Sequence, residues 1–220
     1  ADSGTLSGLM GSSDYDWYVR ALCGGGDTSA WSGVSSFTTL CPVDTIPYLQ
    51  DFTTWPPNCW DVTGGNSSVL WTNSGTPGFA QADFWNVSSG ATQHMQSGGI
   101  YVNADARLKF DWSRRSRTTL DSVEVQVRAN GGTWNRVWGE KGSNLTGGTG
   151  AGSDDSPGTL TTQTIVLNPA TYTNKTIEVR VIAVSAYGGD FYMDNVIVEE
   201  IPTCTPGSGI SGYNPTTTSH

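Results

Sequence analysis

Two stretches of strict alternation limit what this chain can become. In Ser122–Arg128, Val123, Val125 and Val127 fall on one face and Glu124, Gln126 and Arg128 on the other. In Thr176–Ser185, Ile177, Val179, Val181 and Ala183 share a face, opposite Glu178 and Arg180, until Ile182 and Val184 make both faces apolar. A period of two belongs to a strand with one buried face, and the second stretch predicts a central strand. Further strands are predicted at Val69–Thr72, Gly78–Trp85, Gly99–Val102, Arg107–Trp112, Trp134–Trp138, Thr161–Leu167 and Phe191–Glu199. Gly, Asn, Asp and Pro punctuate them, and Gly alone supplies 28 of 220 residues. No segment shows the 3.6-residue apolar period of a helix. The pattern is all-β, with enough short strands for a two-sheet sandwich.

Formal net charge is −9. A general binder of nucleic acid needs Lys and Arg to neutralise phosphates, so that class is excluded. No stretch has the apolar length of a membrane span, so no membrane insertion is expected. Cys23, Cys41, Cys59 and Cys204 form no C-x-x-C pair and have no His beside them. Zinc is therefore disfavoured, and disulfides in a secreted or cell-surface setting are expected. The best single pairing is Cys41 with Cys59; Cys23 and Cys204 are free, joined to each other, or paired within flanking domains.

The N-terminal "TLSGLMGSSDYDWYVRALCGGGDTSAWSGVSSFTTLC" predicts a strand over Asp16–Leu22, a Gly-rich turn and a second strand ending at Thr39. It resembles the last strands of a fibronectin type III domain. "PTCTPGSGISGYNPTTTS" is similar to the linker and first strand of another. These resemblances divide the chain into 1–40, a central domain over 41–203, and 204–220, and they imply a piece of a tandem array.

The central block resembles a MAM domain, through "YLQDFTTWPPNCW", "ARLKFDWSRR", "DSVEVQVRANGGTWNRVWGEKG" and "NKTIEVRVIAVSAYGGDFYMDNVIV" in that order. The resemblance implies a jelly-roll β-sandwich whose closing strand lies beside its opening strand. It bears on Asp194, which a regular strand would point the same way as Val196 and Val198. An unpaired buried carboxylate is costly. The resemblance brings Asp51 to Asp194 and implies a structural calcium ion there, with Asp44, Asp190 and Asn195 as further candidate ligands. The alternative is that Asp194 caps backbone N–H groups or pairs with an Arg. The acidic loop at Asp154 and Asp155 is a weaker candidate for a second ion.

Catalytic signals are poor. His94 and His220 are the two histidines, and no nucleophile elbow, zinc-protease motif or P-loop is present. Carboxylate pairs such as Asp111 and Asp121 could in principle flank a glycosidic bond, but surface acids on strands are far commoner. Binding finds more support, since nine Trp and eight Tyr exceed what a sandwich core needs. Aromatic faces stack on sugar rings and anchor protein interfaces. The candidates are Trp71, Phe84, Trp85, Tyr101 and Trp138. Phe84 and Trp85 are consecutive, so one of them faces away from the core; Trp60 and Trp112 are expected inside. Arg114, Arg115 and Arg117 form the basic cluster that could grip a carboxylate or sulfate, or simply a solvated turn.

The expected function is a non-catalytic adhesion or recognition module of a large secreted or cell-surface protein, binding a glycan or a cell-surface protein. A carbohydrate-binding accessory module of a secreted degradative enzyme comes second. A structural spacer or self-associating repeat comes third.

Overall fold

The computed structural model describes residues 5–67, 69–75, 78–115, 119–145 and 157–202. Among these described residues fifteen strands follow in chain order: β1 (Asp14–Trp17), β2 (Ser35–Thr38), β3 (Asp44–Thr45), β4 (Tyr48–Gln50), β5 (Asp61–Gly65), β6 (Trp71–Ser74), β7 (Phe79–Ala82), β8 (Thr92–Gln96), β9 (Ile100–Val102), β10 (Ala106–Arg114), β11 (Ser122–Ala129), β12 (Asn135–Lys141), β13 (Thr161–Val166), β14 (Lys175–Val184) and β15 (Phe191–Glu200). A single turn of helix, α1 (Pro169–Tyr172), precedes β14. Asn168 caps it by accepting a 3.0 Å bond from Ala170 N, the usual use of Asn at that position. No helix among the described residues is long and apolar enough to cross a membrane.

From β3 onward the strands form two sheets. One runs β13–β10–β15–β7–β6, with β4 beside β15; the other runs β12–β11–β14–β8–β5, with β9 beside β14 and β3 beside β9. The longest strands, β10, β14 and β15, are central, as a buried backbone that must pair on both edges requires. Their inward rows meet between the sheets: Leu108, Phe110 and Trp112 from one, Val123, Val125, Val127, Ile177, Val179 and Val181 from the other. Trp60 joins this core, its Nε1 donating to Tyr48 Oη at 2.7 Å. The all-β sandwich read from the sequence is therefore present.

Opening and closing strands pair as expected. Gln50, Leu49 and Tyr48 face Val196, Ile197 and Val198, while the first half of β15 pairs with β7. Cys41 and Cys59 form a disulfide just outside this junction. Cys23 is exposed and carries none, and Cys204 lies outside the described residues.

The first two strands form a separate antiparallel hairpin. The expected strand over Asp16–Leu22 begins and ends earlier, at Asp14 and Trp17, because the later rungs are irregular. Val19 N and Ala21 N donate to the hydroxyls of Ser32 and Ser29 rather than to carbonyls.

A loop platform and an acidic junction: the candidate functional site

Two buried carboxylates hold the loops at one end of the sandwich. The first is Asp121, which enters β11. It is fully buried and pairs with Arg114 at 2.8 Å, itself only 3% exposed. Burying such a pair is favourable only when its remaining lone pairs and protons are also used. Here they are. Thr119 Oγ1 donates to Asp121 Oδ2 at 2.7 Å, Ala186 N donates to Oδ1 at 2.7 Å, and Arg114 Nη1 donates to Gly142 O at 2.8 Å. The ion pair thus ties the end of β10, the start of β11 and the loop after β14 into one piece.

The second is Asp190, which precedes β15. Its carboxylate accepts from Gln81 Nε2 at 2.9 Å and Trp85 N at 3.0 Å, and its carbonyl accepts from Arg115 N at 2.9 Å. Burial pushes its carboxyl up to about 6; the bond from Trp85 N opposes that shift and nearby Asp83 reinforces it. Asp190 fixes the turn after β7 as Asp121 fixes the loop after β14. Ser185 stitches the two together, its Oγ donating to Val87 O at 2.8 Å and accepting from Tyr187 N at 3.1 Å.

What these anchors present is an aromatic pair. The expected strand Gly78–Trp85 ends at Ala82, and in the turn that follows Phe84 goes into the core while Trp85 turns outward. Trp85 packs on Tyr187 with ring centroids 5.6 Å apart and planes tilted by 32°. Tyr187 is 55% exposed and has φ +65°. A left-handed backbone costs an L-residue with a Cβ about 1–2 kcal/mol, and such strain gathers at functional positions. Asn86 and Val87, which follow Trp85 in the turn after β7, help wall a cleft of about 540 Å³ lined also by Asn66, Ser67, Ser88, Ser89 and Gly90; neither Trp85 nor Tyr187 lines it. A rigid aromatic step beside a polar cleft suits a ligand with one flat apolar face and many hydroxyls.

The other expected site residues are dispersed. Trp71 is buried and packs edge-on against Phe191, with its indole donating to Gln93 O at 3.1 Å. Phe84 is equally buried, so neither ring offers a face to a ligand. Trp138 leans inward against Phe110 and Trp112, because its position on β12 pairs with inward Val125. Tyr101, 38% exposed, stands on β9 between β14 and β3. Arg114 is consumed by Asp121, which also removes Asp121 from any carboxylate pair with Asp111. Arg117, Asp154 and Asp155 lie outside the described residues.

The expected calcium ligands divide three ways. Asp44 sits on β3, in the other sheet, and Asp190 belongs to the loop anchor. Asp194 and Asn195 meet Asp111, and Asp51 is near enough to act on Asp194 electrostatically. The register between β10 and β15 slips by one residue here, and Asn195 takes φ +49°. That bulge reverses the side-chain phase of β15. Val196 and Val198 point inward, and Asp194 points outward, directly across from Asp111. Asp194 Oδ1 accepts from Asn195 N at 2.8 Å, while Asp111 accepts from Asn195 Nδ2 at 3.0 Å and from Thr162 Oγ1. Partial burial raises the Asp194 carboxyl to about 6, and Asp111 and Asp51 add to the rise. Asp51 turns to Thr53, accepting from its N and its Oγ1. Among the described residues, no group of three or more His, Cys, Asp or Glu side chains is placed to hold a metal ion.

No family model matches the chain, and no curated protein matches it by sequence. Solved structures resemble it in fold. The K1 cleaved adhesin domain of Lys-gingipain from Porphyromonas gingivalis W83 is 12% identical, with a TM-score of 0.52 over 70% of this chain and 98% of that one. A Caldicellulosiruptor saccharolyticus module, CBM27-1 in complex with mannohexaose, is 15% identical, with a TM-score of 0.49 over 70% and 96%. TmCBM61 in complex with β-1,4-galactotriose is 11% identical, with a TM-score of 0.46 over 66% and 90%. At such identities the likeness is one of β-sandwich fold.

Proposed function

We propose that this chain is a non-catalytic recognition module that binds a glycan through the Trp85–Tyr187 platform and the cleft beside it. One observation carries the reading: exposed Tyr187, in a costly backbone conformation, packs on Trp85, and buried carboxylates anchor the backbone next to each ring, Asp121 at Ala186 N and Asp190 at Trp85 N. The fold does not need Tyr187 there, whereas a sugar ring stacking on it would. Within this reading the sandwich is a MAM-like domain of a secreted or cell-surface protein, and the N-terminal hairpin belongs to a fibronectin type III-like neighbour. A calcium ion at Asp51 and Asp194 is also part of the proposal; it would have to draw Asp51 from Thr53 and Asp111 from Thr162.

The test is a glycan array probed with the wild-type chain and with Tyr187→Gly. Gly relieves the left-handed strain, so the variant should be as stable as the parent or more so. Its glycan signal should fall at least tenfold. Unchanged binding would remove the platform from the account.

One observation favours a second reading, in which the chain associates with itself or with a protein. The hairpin exposes Trp17, Tyr18, Val19, Leu22 and Trp31, and two strands alone are marginal in water. Light scattering that grows with concentration, together with a blank array, would favour this reading.

A further inference from the structure

The outer face of the seven-stranded sheet carries a belt of charge that the core does not require. While β11 and β14 turn their valines inward, Glu124, Gln126, Arg128, Glu178 and Arg180 point outward. The register places Gln126 opposite Arg180 and Arg128 opposite Glu178. Arg128 pairs with Glu178. Arg136, on β12, lies 3.7 Å from Glu124. Arg180 is different, because no carboxylate among the described residues lies within ion-pair distance of it. Its Nε and Nη2 both donate to Gln126 Oε1, at 3.2 and 2.5 Å, and Gln126 in turn donates to Glu124.

Trp134, in the turn between β11 and β12, gathers the two central arginines. The guanidinium carbons of Arg180 and Arg128 lie 4.2 and 4.5 Å from its ring centroid. Two like charges are thus held against one indole. Burial first, and Arg128 next, push the Arg180 pKa down, with Glu124 opposing. Three guanidinium groups here face two carboxylates, so one positive charge is left over, in a chain whose formal net charge is −9. Asp61 does not cancel it: it stands across from Gln96, one strand further out. His94, beside Arg180, has its pKa lowered by burial and by that same arginine.

A guanidinium braced on an indole, with its Nε edge held by an amide oxygen, presents its Nη1/Nη2 end for a planar anion, and a carboxylate matches that end. On β8, Gln96 stands across from Arg180 and His94 two residues away, and both side chains can hydrogen-bond hydroxyls. We propose that this belt is a second binding site, which takes the carboxylate of a hexuronic acid unit in an acidic polysaccharide, with Arg180 reading the charge. It is separate from the Trp85–Tyr187 platform and can fail without it.

The experiment is calorimetric titration of the full chain with trigalacturonate, neutral galactotriose and triglutamate. It uses wild type, Arg180→Gln, Arg180→Lys and Trp85→Ala, at 50 and 500 mM NaCl. Trigalacturonate should bind wild type and Trp85→Ala alike, at least tenfold more weakly to Arg180→Gln, and with partial recovery in Arg180→Lys. The higher salt should weaken it severalfold, and galactotriose should not respond to changes at Arg180. Failure of trigalacturonate to bind, equal binding by Arg180→Gln, or a preference for triglutamate would each overturn the proposal. If Arg180→Gln does not fold, Trp134→Ala removes the indole brace and should cost at least fivefold in trigalacturonate affinity; no loss would be equally contrary.

Discussion

A methyl group at Gly188 would sit 1.8 Å from Asp121 Oδ2 and 1.9 Å from Thr119 Oγ1. Gly188→Ala must therefore push apart the buried Arg114–Asp121 pair, and breaking such a pair costs about 3–5 kcal/mol. Urea unfolding should show a loss of that order; one below about 1 kcal/mol would mean the loop simply yields. Asp190 and Asp194 make a different prediction. Both carboxyls are raised from 3.8 to about 6, so the folded chain holds protons that the unfolded chain releases. The stability they contribute is fully present below about pH 4 and is lost as pH climbs through about 6. Asp51 and Glu199, whose carboxyls are lowered, act in the opposite sense but at lower pH. The thermal midpoint should fall between pH 4.5 and 6.5, and Asp194→Asn should flatten the slope and raise the midpoint at pH 7.5. A midpoint that rises across that window would contradict this. At pH 7.5, a higher midpoint with calcium than with chelator would show that an ion takes the proton's place. The sequence could flag Asp194 as an oddity in an apolar run. It could not reveal the bulge at Asn195, because one extra residue in a strand leaves no mark on composition and yet reverses every side chain beyond it.

At the level of elements, strands with several apolar or aromatic residues were legible and those built mainly of Gly or polar residues were not. β11, β14 and β15 lie within a residue or two of their expected limits. β5 was missed because Gly64 and Gly65 interrupt it, and β8 because Thr92, Gln93, His94 and Gln96 surround a lone buried Met95. The platform was half legible. Trp85 was a candidate from its adjacency to Phe84. Tyr187, in a Gly-rich strand end, became one only when its left-handed backbone and its partner were visible. β4, three residues long, lies beside β15 with a proline-rich turn behind it, and the Cys41–Cys59 disulfide clips that turn across an 18-residue separation. Closing a loop of this length stabilises by about 3 kcal/mol in the chain-entropy picture. Reduction should lower unfolding stability by that amount while leaving the β-sheet circular dichroism intact at low denaturant. Loss of the whole spectrum on reduction would make the clip a condition of folding rather than a reinforcement.

For the whole molecule, two sheets leave two kinds of surface, loop ends and strand faces, and each carries one aromatic cluster supported by charge. At the loop end the charges are buried and hold the backbone; on the strand face they are half-buried and hold each other. The first arrangement suits the stacking of a neutral sugar and the second suits recognition of an anion. The net charge of −9 excluded a phosphate-backbone binder but did not reveal that a positive spot persists on one sheet, because a sum over the chain has no geometry. The central claim is that the loop platform is where the molecule meets its ligand. The most direct test is a ¹H–¹⁵N correlation spectrum titrated with the strongest neutral oligosaccharide from the array. The account predicts saturable shifts in the Trp85 indole and in the amides of residues 83–90 and 185–190, with the opposite end of the sandwich still. Saturable shifts confined to other surfaces, with those resonances unmoved, would contradict it.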